Sequence, residues 1–338
     1  MPTLPTPGET ALDIPGPLFV IGGAEDKLRR RTVLTEFVER AGGENARIVV
    51  IPTASSIGPE IVEVYDAVFR KLGAADVFGV RPESREHAAD PGLVDQLASA
   101  TGIFMTGGNQ LKLSAVLCGT PFGDEILAAH RRGVTVGGTS AGASIQSSHM
   151  VAFGTGGATP KQRMTQVAAG LGLLEGCVID QHFEQRNRYG RLLMIVSQSP
   201  HLLGIGVDED TAAVVTHDTG VPLLGVVGRG AVTILDPARI VSNAHQATRN
   251  SPLLASGVLL HVLPAGSHFD LSTRTLLPAD ISAEMIRAEQ SEADELGEFA
   301  ELAAAGRDLR KLARDIAAGD VSPTVLRRRR ARRTRGVT

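Results

Sequence analysis

The chain has 338 residues, of which 43% are hydrophobic and 21% are charged, so a disordered or collagen-like chain is excluded. Aromatic residues make up only 4%, with no Trp, which disfavours the base-stacking surfaces of proteins that bind single-stranded nucleic acids. The net charge of −3 hides an asymmetry, because seven arginines lie in the last twelve residues. Without them, 27 Lys and Arg face 37 Asp and Glu, a balance of −10, so only the arginine-rich tail is expected to attract nucleic acid.

The N-terminal segment and the two cysteines indicate the compartment in which the protein is expected to work. Residues 1–16 are rich in Pro, Thr and Gly and predict a flexible arm without the basic and apolar regions of a signal peptide. No run approaches 18 apolar residues, so no transmembrane helix or membrane contact is expected. Cys118 and Cys177 lack the spacing of a zinc site or a disulfide framework. We therefore expect a soluble, cytoplasmic protein with two free thiols.

Short apolar runs that end in small residues alternate with longer stretches of helical spacing. The runs lie at 18–21, 47–53, 102–108 and 134–138, and the helical stretches at 33–41, 61–72 and 93–100. Strands that read as continuous apolar runs between helices are typical of a parallel sheet buried on both faces. Ligands bind such sheets beyond the carboxyl ends of their strands, where the glycines of this chain are found.

The later part of the chain predicts a change of architecture. Shorter runs at 204–207, 212–215 and 259–263 predict an antiparallel extension of the sheet. The fold class is therefore α/β, a mostly parallel central sheet flanked by helices over residues 17–278. Residues 279–320 are rich in Ala, Glu and Arg and predict a helical extension. Residues 321–338 form the arginine-rich tail, which is either solvated or an arm for a polyanion.

Gly138-Thr139-Ser140-Ala141-Gly142 matches the G-x-S-x-G pattern of a nucleophile elbow, directly after an apolar strand. The neighbours must be small for the serine hydroxyl to project from so sharp a turn. We expect a helix over 143–150, whose N-terminus would stabilise a developing oxyanion. A plain glycine-rich turn is the alternative, but the context favours Ser140 as a nucleophile.

A serine nucleophile needs a base, and His182 is the strongest candidate among nine histidines. It lies within residues 178–192, where three arginines, two acids and two glutamines follow a short apolar strand. Such a cluster favours a ligand site, with a solvated salt-bridge network as the alternative. The other histidines lie in segments that read as surface (His87, His130, His149, His217, His245) or in apolar or small-residue segments without charged partners (His201, His261, His268).

The third member of a catalytic triad is a carboxylate that orients the imidazole. Asp208, Glu209 and Asp210 follow one another at the end of a predicted strand, and spacing alone does not choose among them. An acidic strand end is also found at divalent metal sites, but no second acidic or histidine cluster has matching spacing. We therefore expect neither a metal nor a cofactor.

Five segments occur in the order found in the cyanophycinase family, serine peptidases related to the aspartyl dipeptidase peptidase E. They are Phe19–Asp26, Phe104–Gln110, Gly137–Ala143, Asp180–Arg191 and Gly206–Thr211. The resemblance covers about residues 17–275 and implies a fold similar to class I glutamine amidotransferases. It further implies a homodimer that hydrolyses cyanophycin, a poly-aspartate chain with an arginine on each β-carboxyl, to β-aspartyl-arginine dipeptides.

The resemblance also implies roles for individual residues. Ser140 would be the nucleophile, His182 the general base and Glu209 the triad acid. Related peptidases have been assigned an acid soon after the serine, but residues 155–159 hold no carboxylate. The oxyanion hole would use backbone N–H groups of Ala141 and of the loop at Gly108 and Asn109.

The substrate residues that the resemblance implies are Gln110, Asp180, Gln181, Arg186, Arg188 and Arg191. Arginines grip carboxylates in bidentate fashion, and Asp180 or Glu184 would face the guanidinium of the substrate. Asn109 departs from the family, which has aspartate there. Two alternatives remain, a dipeptidase acting on Asp-X or isoaspartyl peptides and a catalytically idle binding homologue.

Overall fold

A computed structural model describes residues 14–218 and 220–277. Its helices are α1 (Thr32–Arg40), α2 (Glu60–Lys71), α3 (Pro91–Val94), α4 (Gln110–Leu117), α5 (Pro121–Arg131), α6 (Ala141–Ser144) and α7 (Tyr189–Gln198). The strands up to the middle of the chain are β1 (Leu18–Ile21), β2 (Arg47–Ile51), β3 (Asp76–Gly79), β4 (Gly102–Met105), β5 (Thr135–Thr139), β6 (His149–Gly154), β7 (Thr165–Ala169) and β8 (Cys177–Gln181). The later strands are β9 (Leu203–Val207), β10 (Thr211–Thr216), β11 (Leu223–Gly228), β12 (Ala231–Asp236), β13 (Val241–Ser242), β14 (Ala255–Ser256), β15 (Leu259–Pro264), β16 (His268–Asp270) and β17 (Thr275–Leu276).

A nine-stranded sheet in the order β17-β16-β11-β10-β1-β5-β4-β2-β3 forms the centre of the fold. The five strands from β1 to β3 in this order are parallel, and β10, β11, β16 and β17 extend the sheet antiparallel. The prediction of a central sheet flanked by helices is confirmed, but the sheet is mixed rather than mostly parallel, because four of its eight strand pairings are antiparallel. The carboxyl ends of β1, β4 and β5 meet at one edge of this sheet, which is where the site described below lies.

Residues in β1 alternate between two apolar clusters, so both faces of the central sheet are buried. Leu18 and Val20 belong to a cluster that also holds residues of β8, β9 and β12, whereas Phe19 and Ile21 pack with α1 and α2. Phe37 of α1 contacts three neighbouring aromatic rings on that second face. Burial of this apolar surface is the main stabilising contribution to the fold.

A second sheet, in the order β15-β12-β9-β8, was not predicted as a separate element. Only the run at 212–215 joins the central sheet, whereas the runs at 204–207 and 259–263 belong to the second one. β9 pairs in parallel with β8, the strand that precedes His182. Short apolar runs predict strands but do not say which sheet each strand joins, because that depends on long-range pairing.

Three local predictions differ from the structure. The helix expected over 143–150 is only the four-residue α6, since the chain enters β6 at His149 and pairs with β7. The helix expected over 93–100 divides into α3 and a short 3-10 helix. His130, expected at the surface, is 5% exposed, and burial lowers its pKa to about 4.

Most of the predicted N-terminal arm, the helical extension over 279–320 and the arginine-rich tail lie outside the described residues. Across residues 14–218 and 220–277, no helix is both long and apolar enough to cross a membrane.

Candidate active site

Ser140 occupies a strained turn between β5 and α6, with a φ of 53° that non-glycine residues rarely adopt. Glycines surround it because a side chain would collide with backbone. A β-carbon at Gly138 would lie 2.1 Å from the Gly142 carbonyl oxygen, and one at Gly142 would lie 2.1 Å from that of Met105. The G-x-S-x-G spacing therefore follows from close packing of the turn on its neighbouring strand. This is the geometry of a nucleophile elbow.

Three side chains form a continuous hydrogen-bonded line. Ser140 Oγ lies 2.9 Å from His182 Nε2, and His182 Nδ1 lies 2.6 Å from Glu209 Oε1. With Nδ1 protonated and bonded to the carboxylate, Nε2 is free to accept the serine proton. The arrangement has the chemistry of a serine nucleophile with a base and an orienting acid.

His182 directly follows β8 and is held against the segment after β1. Its backbone N–H donates to the Gly22 carbonyl at 2.8 Å. A β-carbon at Gly23 would lie 2.3 Å from Cε1 of the imidazole, so only glycine leaves room for the ring. The sequence pattern placed Gly22 and Gly23 in a motif without giving them a role. In the structure both contact His182, Gly22 through its carbonyl and Gly23 through the space it leaves for the ring.

Burial lowers the pKa of His182 below its ordinary value of 6.5. The hydrogen bond and charge of Glu209 oppose that effect, while the positive charges of Arg186 and Arg188 add to it. The imidazole is therefore neutral at pH 7, which is the form that a general base requires.

The three consecutive acids bind three different partners. Asp208 is buried and accepts the backbone N–H groups of Glu184 and Ala231, at 3.1 and 3.0 Å. Asp210 accepts the N–H of Asp26 at 2.7 Å. Of the three, Glu209 is the one that contacts the imidazole. The hydrogen bonds thus distinguish three acids that sequence spacing could not. Asp208 and Asp210 bind backbone N–H groups and fix the loop that carries Glu209.

The three backbone N–H groups expected to bind an oxyanion differ in whether they are already hydrogen-bonded. The Asn109 N–H donates to the Ala54 carbonyl at 2.8 Å, which removes it from the possible donors. Its side chain instead caps α4 by accepting from the Lys112 N–H at 3.1 Å. The Gly108 and Ala141 N–H groups are bonded to no acceptor in the described part of the chain. They remain the two candidate donors.

Asp180 lies at the centre of a buried ionic cluster and is fully shielded from solvent. Arg191 binds both of its carboxylate oxygens, with Nε 2.6 Å from Oδ2, and Arg188 Nη1 lies 3.1 Å from Oδ1. Arg191 also donates to the Gly154 carbonyl at 3.1 Å. The sequence-based option that Asp180 faces a substrate guanidinium does not fit this burial, because both oxygens are already bonded. Glu184, which is exposed, remains for that role.

Arg188 joins this ionic cluster to two glutamines. It donates to the carbonyl and to the side chain of Gln181, whose amide nitrogen in turn lies 3.1 Å from Gln110 Oε1. Gln110 donates to the Val151 carbonyl of β6. Burial and the charges of Arg191 and Arg186 lower the pKa of Arg188 to about 10, although Asp180 opposes this, so its guanidinium stays charged at pH 7.

Arg186 is the exposed member of the arginine trio and lies close enough to influence the pKa of His182. Its neighbour Gln185 accepts the Glu209 backbone N–H at 3.0 Å, a contact that sequence reasoning did not identify. The structure therefore brings all the predicted binding residues into one region. Within it Asp180 and Arg191 are interior and Arg186 faces solvent.

Comparisons with known proteins identify relatives over most of the chain. The chain is 42% identical over 264 residues to a cyanophycinase of Nostoc sp. (strain PCC 7120), covering 78% of this chain and 88% of the relative. It is 39% identical over 258 residues to a cyanophycinase of Geminocystis herdmanii, covering 76% and 94%. The fold is similar to that of a crystallised peptidase from an acI-B1 Actinobacterium, with a TM-score of 0.52 and 22% identity over 74% of this chain and 98% of the other. Residues 18–223 match the model of peptidase family S51, and the chain belongs to that family.

Proposed function

We propose that this enzyme is a serine exopeptidase that hydrolyses cyanophycin to β-aspartyl-arginine dipeptides. The observation that carries the proposal is the line from Ser140 Oγ through His182 to Glu209. The two relatives described above are cyanophycinases, and each aligns with more than three quarters of this chain. This similarity supports cyanophycin as the substrate.

In the proposed reaction, Ser140 Oγ attacks the backbone carbonyl that joins the terminal β-aspartyl-arginine unit to the polymer. His182 Nε2 accepts the serine proton and delivers it to the leaving amine, while Glu209 holds the Nδ1–H tautomer. The Gly108 and Ala141 N–H groups stabilise the oxyanion, where loss of one donor typically costs about 10²–10³ in rate. In the second half of the reaction, His182 Nε2 accepts a proton from water as the water oxygen attacks the acyl carbonyl, and it returns that proton to Ser140 Oγ as the ester bond breaks.

Substrate recognition follows from the charges around the triad. Each cyanophycin unit carries one free carboxylate and one guanidinium, both belonging to its arginine. The exposed Arg186 is placed to bind the carboxylate, and the exposed Glu184 carries the charge that a guanidinium prefers. Arg188, Gln181 and Gln110 form the polar wall behind them, and Asp180 with Arg191 holds that wall in place.

Clearing of a cyanophycin suspension by the full-length protein tests the proposal, with Ser140→Ala as the matched control. We expect the turbidity to fall and mass spectrometry to identify β-aspartyl-arginine, and we expect Ser140→Ala to lose about 10⁴-fold or more in kcat. No clearing by the folded protein would overturn the polymer assignment. Cleavage of Asp-X or isoaspartyl dipeptides alone would then identify a dipeptidase, and binding without cleavage an idle homologue.

The proposal includes a homodimer in the cytoplasm. The family resemblance supports the dimer, which light scattering of the purified protein tests. Cys118 and Cys177 are both free, which fits a reducing compartment. Fractionation of the source cells tests the location.

A further inference from the structure

One segment, residues 21–26, accepts backbone hydrogen bonds from Ser140, from His182 and from the residue next to Glu209. Its carbonyl groups at positions 21, 22 and 23 each accept one N–H, from Ser140 at 3.0 Å, from His182 at 2.8 Å and from Asp210 at 2.8 Å. Asp210 directly follows Glu209. The relative position of nucleophile, base and acid therefore depends on the conformation of this segment.

Glu25 anchors the segment to the protein interior. It is 4% exposed, and its carboxylate accepts from the Tyr65 hydroxyl at 2.5 Å, the Lys27 ammonium at 2.7 Å and the Thr139 hydroxyl at 2.5 Å. Burial raises the pKa of Glu25, but the charge of Lys27 and the three hydrogen bonds more than offset this, so its pKa lies below the ordinary value. Glu25 is thus a charged, fully bonded group inside the fold.

Thr139 connects this anchor to the nucleophile. It is 4% exposed, is the last residue of β5 and directly precedes Ser140. A strained backbone such as that of Ser140 persists only where surrounding contacts enforce it. The bond from Thr139 Oγ1 to Glu25 Oε2 fixes the residue next to the strain.

We propose that Glu25 and Thr139 are positioning residues, whose hydrogen bond holds the Ser140 turn in the conformation that aims Oγ at His182. Neither residue touches the substrate, and each acts through Ser140. The G-x-S-x-G pattern leaves its second position open, and the structure gives that position a hydroxyl with a defined partner. The inference rests on the proposed role of Ser140 as nucleophile.

The test compares Thr139→Val with Thr139→Ser and with Thr135→Val as a matched control. Thr135 lies at the other end of the same strand, is 1% exposed and donates its hydroxyl to the Arg40 carbonyl at 2.8 Å. Both valine variants therefore remove one buried threonine hydrogen bond from β5. Thr139→Val should lower the urea midpoint of unfolding more than Thr135→Val, because its lost bond goes to a buried carboxylate rather than to the backbone carbonyl of an exposed residue.

We expect Thr139→Val to lower kcat on cyanophycin by roughly 10- to 100-fold with KM within about twofold, because misaimed reacting atoms slow chemistry without weakening binding. Thr139→Ser, which keeps the hydroxyl, should restore kcat to within about threefold of the parent. Thr135→Val should keep the parent kcat. Equal kcat values for the two valine variants would overturn the inference.

Two further variants keep the test decisive. Tyr65→Phe removes another donor to Glu25 and should lower kcat in the same direction, so an unchanged kcat there contradicts the inference even if Thr139→Val does not fold. Ser140→Ala separates the two proposals. If Ser140→Ala remains active, the proposed nucleophile is wrong, whereas a dead Ser140→Ala with a fully active Thr139→Val refutes only the positioning role.

Discussion

Gly23 lies directly against the imidazole of His182, so that a β-carbon at position 23 would stand 2.3 Å from Cε1 and 2.6 Å from Nε2. Gly23 also has a φ of +105°, a backbone conformation that residues with a side chain rarely adopt. Two constraints therefore act at position 23, one from the backbone conformation and one from contact with the His182 ring.

Gly23→Ala should displace the His182 ring and lower kcat by about 10²-fold or more, since small misplacements of catalytic groups have effects of that size. Gly73→Ala is the matched control, because Gly73 has a φ of +103° and a β-carbon added there would have nothing within 4 Å. Both variants should lose about 1 kcal/mol of stability from backbone strain. Equal activity of the two variants would contradict the contact with His182.

The pH profile should report the charges around His182. Because burial lowers its pKa, kcat/KM should rise with pH through an acid limb centred below 6.5 and be level near pH 7. Arg186→Gln removes a charge that lowers this pKa, so the limb should move to higher pH. Glu209→Gln removes the group that raises it, so the limb should move to lower pH while kcat falls about 10³–10⁴-fold.

These profiles are best measured at low ionic strength, because Arg186 is exposed and salt screens its charge. Shifts of Arg186→Gln and Glu209→Gln in the same direction would contradict the assignment of the limb to His182.

The sequence predicted the central part of the fold well because its strands are short apolar runs between amphipathic helices. It did not predict the second sheet, since β8 and β9 are brought together only by long-range pairing. At the site, the G-x-S-x-G pattern and the charged cluster identified Ser140 and His182 as candidates. Spacing could not choose among Asp208, Glu209 and Asp210, because the choice is made by loop geometry.

Burial and backbone hydrogen bonding explain where the predicted site residues differ from the structure. Sequence composition treats all charged residues of the cluster alike and gives no sign that Asp180 is interior while Arg186 is exposed. Nor does it show that the Asn109 N–H is already bonded to Ala54. Such facts come only from the folded chain.

Asp210 should make stability depend on pH. Burial and the nearby charges of Asp26 and Glu25 raise its pKa to about 6 in the folded protein, above the ordinary value of 3.8. A raised pKa in the folded state favours the protonated form, so this contribution to stability is complete below pH 3.8 and is lost as pH rises through 6.

Asp210→Asn should therefore stabilise the protein at pH 8 by about 1–2 kcal/mol, allowing for partial exposure, with no gain below pH 3.8. The amide oxygen can still accept the Asp26 N–H. Urea unfolding at several pH values measures the difference. A gain that is the same at about pH 3.5 and pH 8 would contradict titration of Asp210 as its cause.

The buried ionic cluster around Asp180 and the exposed Arg186 should respond differently to substitution. Asp180→Ala leaves the buried guanidinium groups of Arg188 and Arg191 without their carboxylate, which typically costs about 3–5 kcal/mol. Arg186→Ala removes an exposed side chain and should change stability by no more than about 0.5 kcal/mol. Its effect should instead be a higher KM for cyanophycin with little change in kcat at pH 8, because it removes a contact made equally before and during the reaction. Urea unfolding and steady-state kinetics of both variants test this division. A large stability loss in Arg186→Ala, or a stable Asp180→Ala that differs from the parent only in KM, would reverse the assignment of interior and substrate-facing charges.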